Sequence, residues 1–338
     1  MPDTPAPTGP ATDSRRPVSS PPHRPAPSPP RRPVSSPPRR PLARYVLGAA
    51  DAPTLVYLHG VTSSAASSSG VLEHWADAGY RVIALDARGH GLSPRWSKEE
   101  LAQADEVLVD DVLHVLSELA QERDTRCDTR CDTRCDTRRA AEEAAALSAP
   151  AAPTAPAARP VLVGHSMGGA TAMVAATRRP DLLAGTVLID PARYGTRSPD
   201  ELRARGAARA RLRASDLADL PRAVARALAD DEVPDGEALT GVWAQERTDP
   251  ALLATGVVAP AVPWEEAMAA LAVPTLLVTG DRPGSARVGT EGVALLRRQA
   301  NPWVETALVA GAGHDVRRCD PDGFHRAVDP WLRRVLGR

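Results

Sequence analysis

Ser166 is the residue of this sequence best placed to do chemistry. In Pro160–Ala170, PVLVGHSMGGA, the apolar run Val161, Leu162, Val163 stops at Gly164. His165, Ser166, Met167, Gly168 and Gly169 follow, and then an Ala-rich run with helical character. The pattern predicts a strand, a tight turn and a helix, with a serine at the apex. Glycines on both sides of the serine suit a turn in which strand and helix backbones crowd each other and the apex is strained. Such a turn lifts the hydroxyl clear of the sheet and sets the next backbone N–H at a helix start. A serine hydroxyl is a weak nucleophile until a base takes its proton, and the base is nearly always histidine. Of eight histidines, His23 lies in the Pro-rich tail, and His74 and His114 fall inside expected helices. His325 sits near the start of the last helix, and His165 adjoins the serine with its side chain expected to point away. His59 and His90 belong to glycine-flanked loops that suit structural hydrogen bonding. His314 follows the last expected strand beside Gly313.

The elements that must carry these residues alternate. Short apolar strands are expected at Arg44–Gly48, Thr54–Leu58, Tyr80–Leu85, Val161–Val163, Thr186–Ile189, Thr275–Thr279 and Val304–Val309. Helices are expected at Val71–Ala78, Leu101–Arg123, after Ser166, at Val293–Gln299 and at Phe324–Leu336. In Leu101–Arg123, Val107, Val112, Leu113, Leu116 and Leu119 share one helical face. Strands alternating with helices imply an α/β fold with a doubly wound, mostly parallel sheet. Ligands of such sheets sit at the carboxyl ends of the strands. His59, Asp86, Ser166, Asp190, Asp281 and His314 all follow apolar strands and should gather on one rim.

GHSMGG, with the HG pair at His59-Gly60, DARGHGLS at Asp86–Ser93 and the loop around His314, resembles the nucleophile elbow and companion loops of the α/β-hydrolase superfamily. The resemblance covers roughly Arg44 to the C-terminus. It implies serine-based acyl chemistry, with Ser166 as nucleophile and His314 as base. It implies oxyanion donors at the backbone N–H groups of Met167 and Val61. For the acid it implies two positions. Asp281 follows the strand that usually supplies it and is preferred for proximity to the last strand. Many members place the acid two residues further on, where Pro283 stands here. Asp190, after the preceding strand, is the alternative acid. Asp86 and Asp315 read as loop-structuring.

Around this frame lie three further segments. Residues 1–43 form a Pro/Arg/Ser tail in which RRPVSSPP occurs twice. It has too little apolar surface to offset ordering entropy and is expected to be disordered, partly polyproline II. Residues 124–159 contain the tetrapeptide repeat DTRC and an Ala/Pro-rich run. Cys127, Cys131 and Cys135 would align on one helix face as soft-metal ligands. The same period stacks Asp on Asp and Arg on Arg, which opposes a helix, so a low-complexity insertion in domain 44–338 is the expectation. Residues 192–272 are helix-like and too long for an ordinary connection. They are expected to form a helical cap over the sheet's carboxyl edge, in which Trp243 and Trp264 are pocket-wall candidates better suited to core packing.

Net charge is −1 over 338 residues. The tail to Arg44 carries +6, so the remainder is −7, which does not suit a nucleic-acid surface. No stretch is long and apolar enough to span a membrane, and a signal sequence is not expected. Four cysteines, three of them in one repeat, do not make a disulfide framework, so a reducing, cytoplasmic setting is expected. The sequence thus predicts a carboxylesterase-like serine hydrolase acting on a small-molecule acyl substrate, with no metal or organic cofactor implied. Ser166 argues against halide displacement and epoxide opening, which need Asp at the apex. Acyltransferase, perhydrolase, peptidase and carbon–carbon bond hydrolase use the same constellation. A catalytically inactive binding protein of this fold is the alternative from another class, and the tail leaves an interaction protein as a third. Substrate and oligomeric state are not readable.

Overall fold

A computed structural model describes residues 40–141, 159–193, 198–260 and 262–338, with side chains to residue 125 in the first segment. The Pro-rich tail to residue 39 and the run 142–158 lie outside the described residues. So do the repeat's side chains from residue 126, including the three cysteines.

Among the described residues the strands are β1 (Arg44–Leu47), β2 (Thr54–Leu58), β3 (Arg81–Leu85), β4 (Val161–His165), β5 (Gly185–Ile189), β6 (Thr275–Gly280) and β7 (Val304–Val309). They form one sheet of order β1-β3-β2-β4-β5-β6-β7. Only the edge strand β1 runs antiparallel, against β3. The helices are α1 (Ser69–Asp77), α2 (Lys98–Leu101), α3 (Ala104–Ala141), α4 (Met167–Arg178), α5 (Pro199–Leu217), α6 (Leu220–Leu228), α7 (Asp235–Glu246), α8 (Pro250–Thr255), α9 (Trp264–Ala269), α10 (Gly289–Gln299), α11 (Val316–Cys319) and α12 (Pro321–Val335). The chain is therefore a doubly wound, mostly parallel α/β protein.

The inner strands read as apolar runs because both faces are covered. Val56, Leu58, Ile83, Leu85, Leu162, Leu188 and Leu277 point to one face, against Val109, Leu116 and Met173 of α3 and α4. Leu55, Tyr57, Val82, Val163, Val187 and Val278 point to the other, against Trp75 of α1 and Phe324 and Trp331 of α12. A third cluster joins Leu252 and Leu253 of α8 to Trp96, Leu108 and Met167, fastening the β5–β6 connection to the body.

Between β5 and β6 the described chain is helical, α5 to α9. Their starts are written locally. Ser198 and Glu201 make a reciprocal capping box on α5, and the Asp219 and Asp249 carboxylates cap α6 and α8. Prolines occupy the first turn of all three. One helix departs from the sequence reading. The apolar periodicity ends at Arg123, yet α3 continues through the repeat to Ala141. A helix nucleated by a packed first half adds residues at little cost, and like-charge rows oppose it by only about 0.2–0.5 kcal/mol per pair.

Candidate active site

The turn after β4 is as crowded as its glycines require. A Cβ at Gly164 would meet the Gly168 carbonyl oxygen at 2.3 Å, and one at Gly168 would meet the Leu58 carbonyl oxygen at 2.4 Å. Ser166 sits at φ 53°, ψ −111°, in the positive-φ region that a side chain rarely adopts. The backbone is held there because Ser166 N–H donates to Ile189 O at 3.0 Å, and Ser166 O accepts from Ala170 and Ala192 N–H. The serine is thus pinned to β5 on one side and to α4 on the other.

His314 lies in the loop after β7. Its Nε2 is 2.9 Å from Ser166 Oγ, and its Nδ1 is 2.5 Å from Asp190 Oδ2. Asp190 is fully buried and also at positive φ, 36°. Burial pushes its carboxyl up. Hydrogen bonds from His314, the Thr279 hydroxyl and the Arg287 and Val288 N–H groups outweigh burial and hold it below the usual carboxylate range. Those bonds measure 2.6 Å from Thr279 Oγ1, 2.8 Å from Arg287 N and 2.9 Å from Val288 N. An ionised Asp190 makes His314 Nδ1 the protonated nitrogen. Nε2 is then the acceptor facing the Ser166 hydroxyl.

The preferred acid of the sequence reading, Asp281, is not brought to His314. Its Oδ1 accepts from Gly311 N–H at 2.6 Å, so the side chain ties the β7 loop from outside. The physical reason is the close approach of the two strand ends. A Cβ at Gly280 would meet the Ala312 carbonyl oxygen at 1.9 Å. The β7 loop therefore lies directly on the end of β6, and His314 extends beyond β6 to the end of β5. Proximity of strands was the wrong measure; the direction of the side chain decides.

His165 also departs from expectation. Rather than pointing away, its Nε2 donates to the His314 carbonyl oxygen at 3.1 Å, with ring centroids 4.9 Å apart. Burial is the main reason its pKa falls to about 4, so the ring is neutral at pH 7. It anchors the backbone of His314. No local pattern announced it, because the strained apex turns the chain away from strand alternation.

Met167 and Val61 line the same cavity as Ser166 and His314. Among the described residues neither N–H has an acceptor. His59 and His90 stay in the loops beneath. Ala87 N–H donates to His59 Nε2 at 3.0 Å, and His59 Nδ1 is 2.7 Å from Gly60 O. Burial lowers both histidines, His90 to about 3. Asp86 accepts from Ala65 and Leu92 N–H, a loop-structuring use. Asp315 pairs with Arg318 at 3.2 Å; burial raises its pKa, but Arg317, His165 and Arg318 bring it down to about 2. Trp264 is buried in the core, and neither it nor Trp243 lines the cavity.

The cavity over Ser166 encloses about 340 Å³, within the range of small-ligand sites. Its floor is the strand ends, and α5 and α7 contribute Arg205, Arg209, Gly241 and Gln245 to its wall. No helix among the described residues is long and apolar enough to cross a membrane.

Residues 53–238 match the family described as alpha/beta hydrolase fold. An sn-1-specific diacylglycerol lipase, ABHD11 of Mus musculus, is 29% identical over 188 residues, covering 55% of this chain and 47% of that protein. The chain spans about half the length of the curated relatives it matches. The structure of E-2-(acetamidomethylene)succinate hydrolase superposes with a TM-score of 0.60 at 22% identity, over 86% of this chain and 94% of the other. The enol-lactonase of Burkholderia xenovorans LB400 does so with a TM-score of 0.59 at 21% identity, over 86% and 96%.

Proposed function

From the premise that the chain belongs to the alpha/beta hydrolase fold family, whose relatives here are hydrolases, we propose that it is a serine hydrolase cleaving an ester or similar acyl bond. One observation carries the reading. Ser166, His314 and Asp190 form a single hydrogen-bonded chain at the floor of a cavity, with the serine at the strained apex of its turn.

In this reading His314 Nε2 takes the Ser166 proton as Oγ attacks the acyl carbon. Asp190 keeps the ring in the required tautomer and stabilises the imidazolium that forms. The Met167 and Val61 N–H groups receive the oxyanion. His314 then passes its proton to the leaving group. A water, deprotonated by the same nitrogen, hydrolyses the acyl-enzyme. No step calls on a metal or organic cofactor.

The test is covalent labelling of the full chain by a fluorophosphonate, combined with turnover of 4-nitrophenyl esters. Ser166→Ala should abolish labelling and lower turnover by about four to six decades while leaving the fold intact. Purified Ser166→Ala retaining turnover within tenfold of wild type would end the reading.

A further inference from the structure

The cavity over Ser166 is lined by Arg193, Arg205, Arg209, Arg287 and Arg318, with Asp315 as the one acidic side chain in its wall among the described residues. These arginines differ in what already neutralises them. Arg318 is held by Glu237 and Asp315. Arg193 lies over the Trp264 ring at 4.5 Å, and its Nη2 is 3.8 Å from Glu265. Arg209 and Arg287 are in no ion pair among the described residues. Arg209 Nη1 is moreover out of contact with solvent and without a hydrogen-bond partner. A guanidinium nitrogen kept from water without a partner is unfavourable, and an anion removes the penalty. Arginine's planar fork is also the side chain best matched to a carboxylate.

Position adds to this. Arg287 N–H holds the carboxylate of Asp190, so the Arg287 side chain leaves from beside the Asp190–His314 pair. Arg209 reaches the same cavity from α5. The reacting serine and histidine lie in the same 340 Å³ space. A lining of this kind is poorly suited to a long hydrocarbon chain.

We propose that the substrate is a small acyl compound bearing a second, anionic carboxylate, which Arg209 and Arg287 bind while Ser166 attacks the acyl carbon. The proposal rests on the serine hydrolase reading and adds to it the charge of the substrate. It separates from a rival use of the same charge, a general positive field that stabilises the oxyanion for any ester.

The experiment compares mono-4-nitrophenyl glutarate with 4-nitrophenyl pentanoate, which is close in size and lacks the second carboxylate. Wild type should turn over the glutarate ester with kcat/KM at least tenfold higher, and this preference should shrink as salt is raised from 50 to 500 mM. Arg209→Gln and Arg287→Gln should each lower kcat/KM for the glutarate ester at least tenfold more than for the pentanoate. Calorimetry with glutarate itself, which needs no turnover, should show binding to wild type and weaker binding to both variants. Equal kcat/KM for the two esters with no glutarate binding would overturn the proposal. So would equal losses on both esters in the variants, which would instead mark a general oxyanion field. Labelling of Ser166 and turnover of the pentanoate report the hydrolase reading separately, so the two failures are distinguishable.

Discussion

At the scale of single residues, two aspartates are distinguished by what they touch. Asp190 accepts four hydrogen bonds, one of them from His314, whereas Asp281 ties down Gly311. Asp190→Asn should lower kcat on the order of 10⁴-fold, because the amide favours the wrong tautomer of His314. Asp281→Asn should stay within about tenfold, since it touches no reacting group. Steady-state turnover of a 4-nitrophenyl ester by both purified variants checks the pair, and the reverse pattern would return the role to Asp281. That Ser166 and His314 would meet was legible, because each lies in a short motif with its own strand and glycines. The acid was not. Asp190 and Asp281 follow equally apolar strands, and the difference lies in a positive φ at one and in donors from residues 287 and 288, about a hundred positions away. His165 was hidden for the same reason: its partner is a backbone carbonyl 149 residues distant.

At the scale of elements, the strands and longer helices were legible because the apolar period is local, whereas the one-turn helices α2 and α11 are too short to show one. The extension of α3 through the repeat was not, because no apolar stripe marks it. The most consequential contact between elements is equally silent in sequence. Glu237 on α7 is 1% exposed and receives Arg317 through both carboxylate oxygens at 2.9 Å and Arg318 at 2.7 Å. It fastens α7 to α11, which begins two residues after His314. Glu237→Ala leaves the buried Arg317 with Asp315, 3.6 Å away, as its one carboxylate among the described residues, beside the Ser67 carbonyl, and removal of one partner of such a buried pair costs about 3–5 kcal/mol. Urea unfolding of the variant against wild type at pH 7 should show that loss as a lowered midpoint. An unchanged midpoint would mean that apolar packing, not the clamp, holds α7 in place.

At the scale of the whole molecule, His59, His90 and His165 are buried in the folded chain with depressed pKa values, the last two at about 3 and about 4. The unfolded chain binds protons near pH 6.5 that the folded chain refuses. Stability is therefore full above about pH 6.5 and falls with pH below it, by roughly 1.4 kcal/mol per pH unit for each histidine in its window. Asp190, with its folded pKa depressed, acts in the same direction at lower pH, its contribution being lost as pH falls below the usual carboxylate value. Unfolding free energies measured between pH 7.5 and 4.5 should slope accordingly. His165→Gln, whose amide can still donate to His314 O, should flatten the slope by about one proton. A flat wild-type profile would show that these histidines titrate normally. The reach of His314 past β6 has one more consequence. Its partners are 148 and 124 residues away in the chain, on strands that must all pair before the three side chains can meet. Closing such long loops comes late in folding. On the serine hydrolase reading, chains that have acquired their helices but not their final register are therefore inert, and a newly made molecule does no chemistry on its surroundings before it is finished.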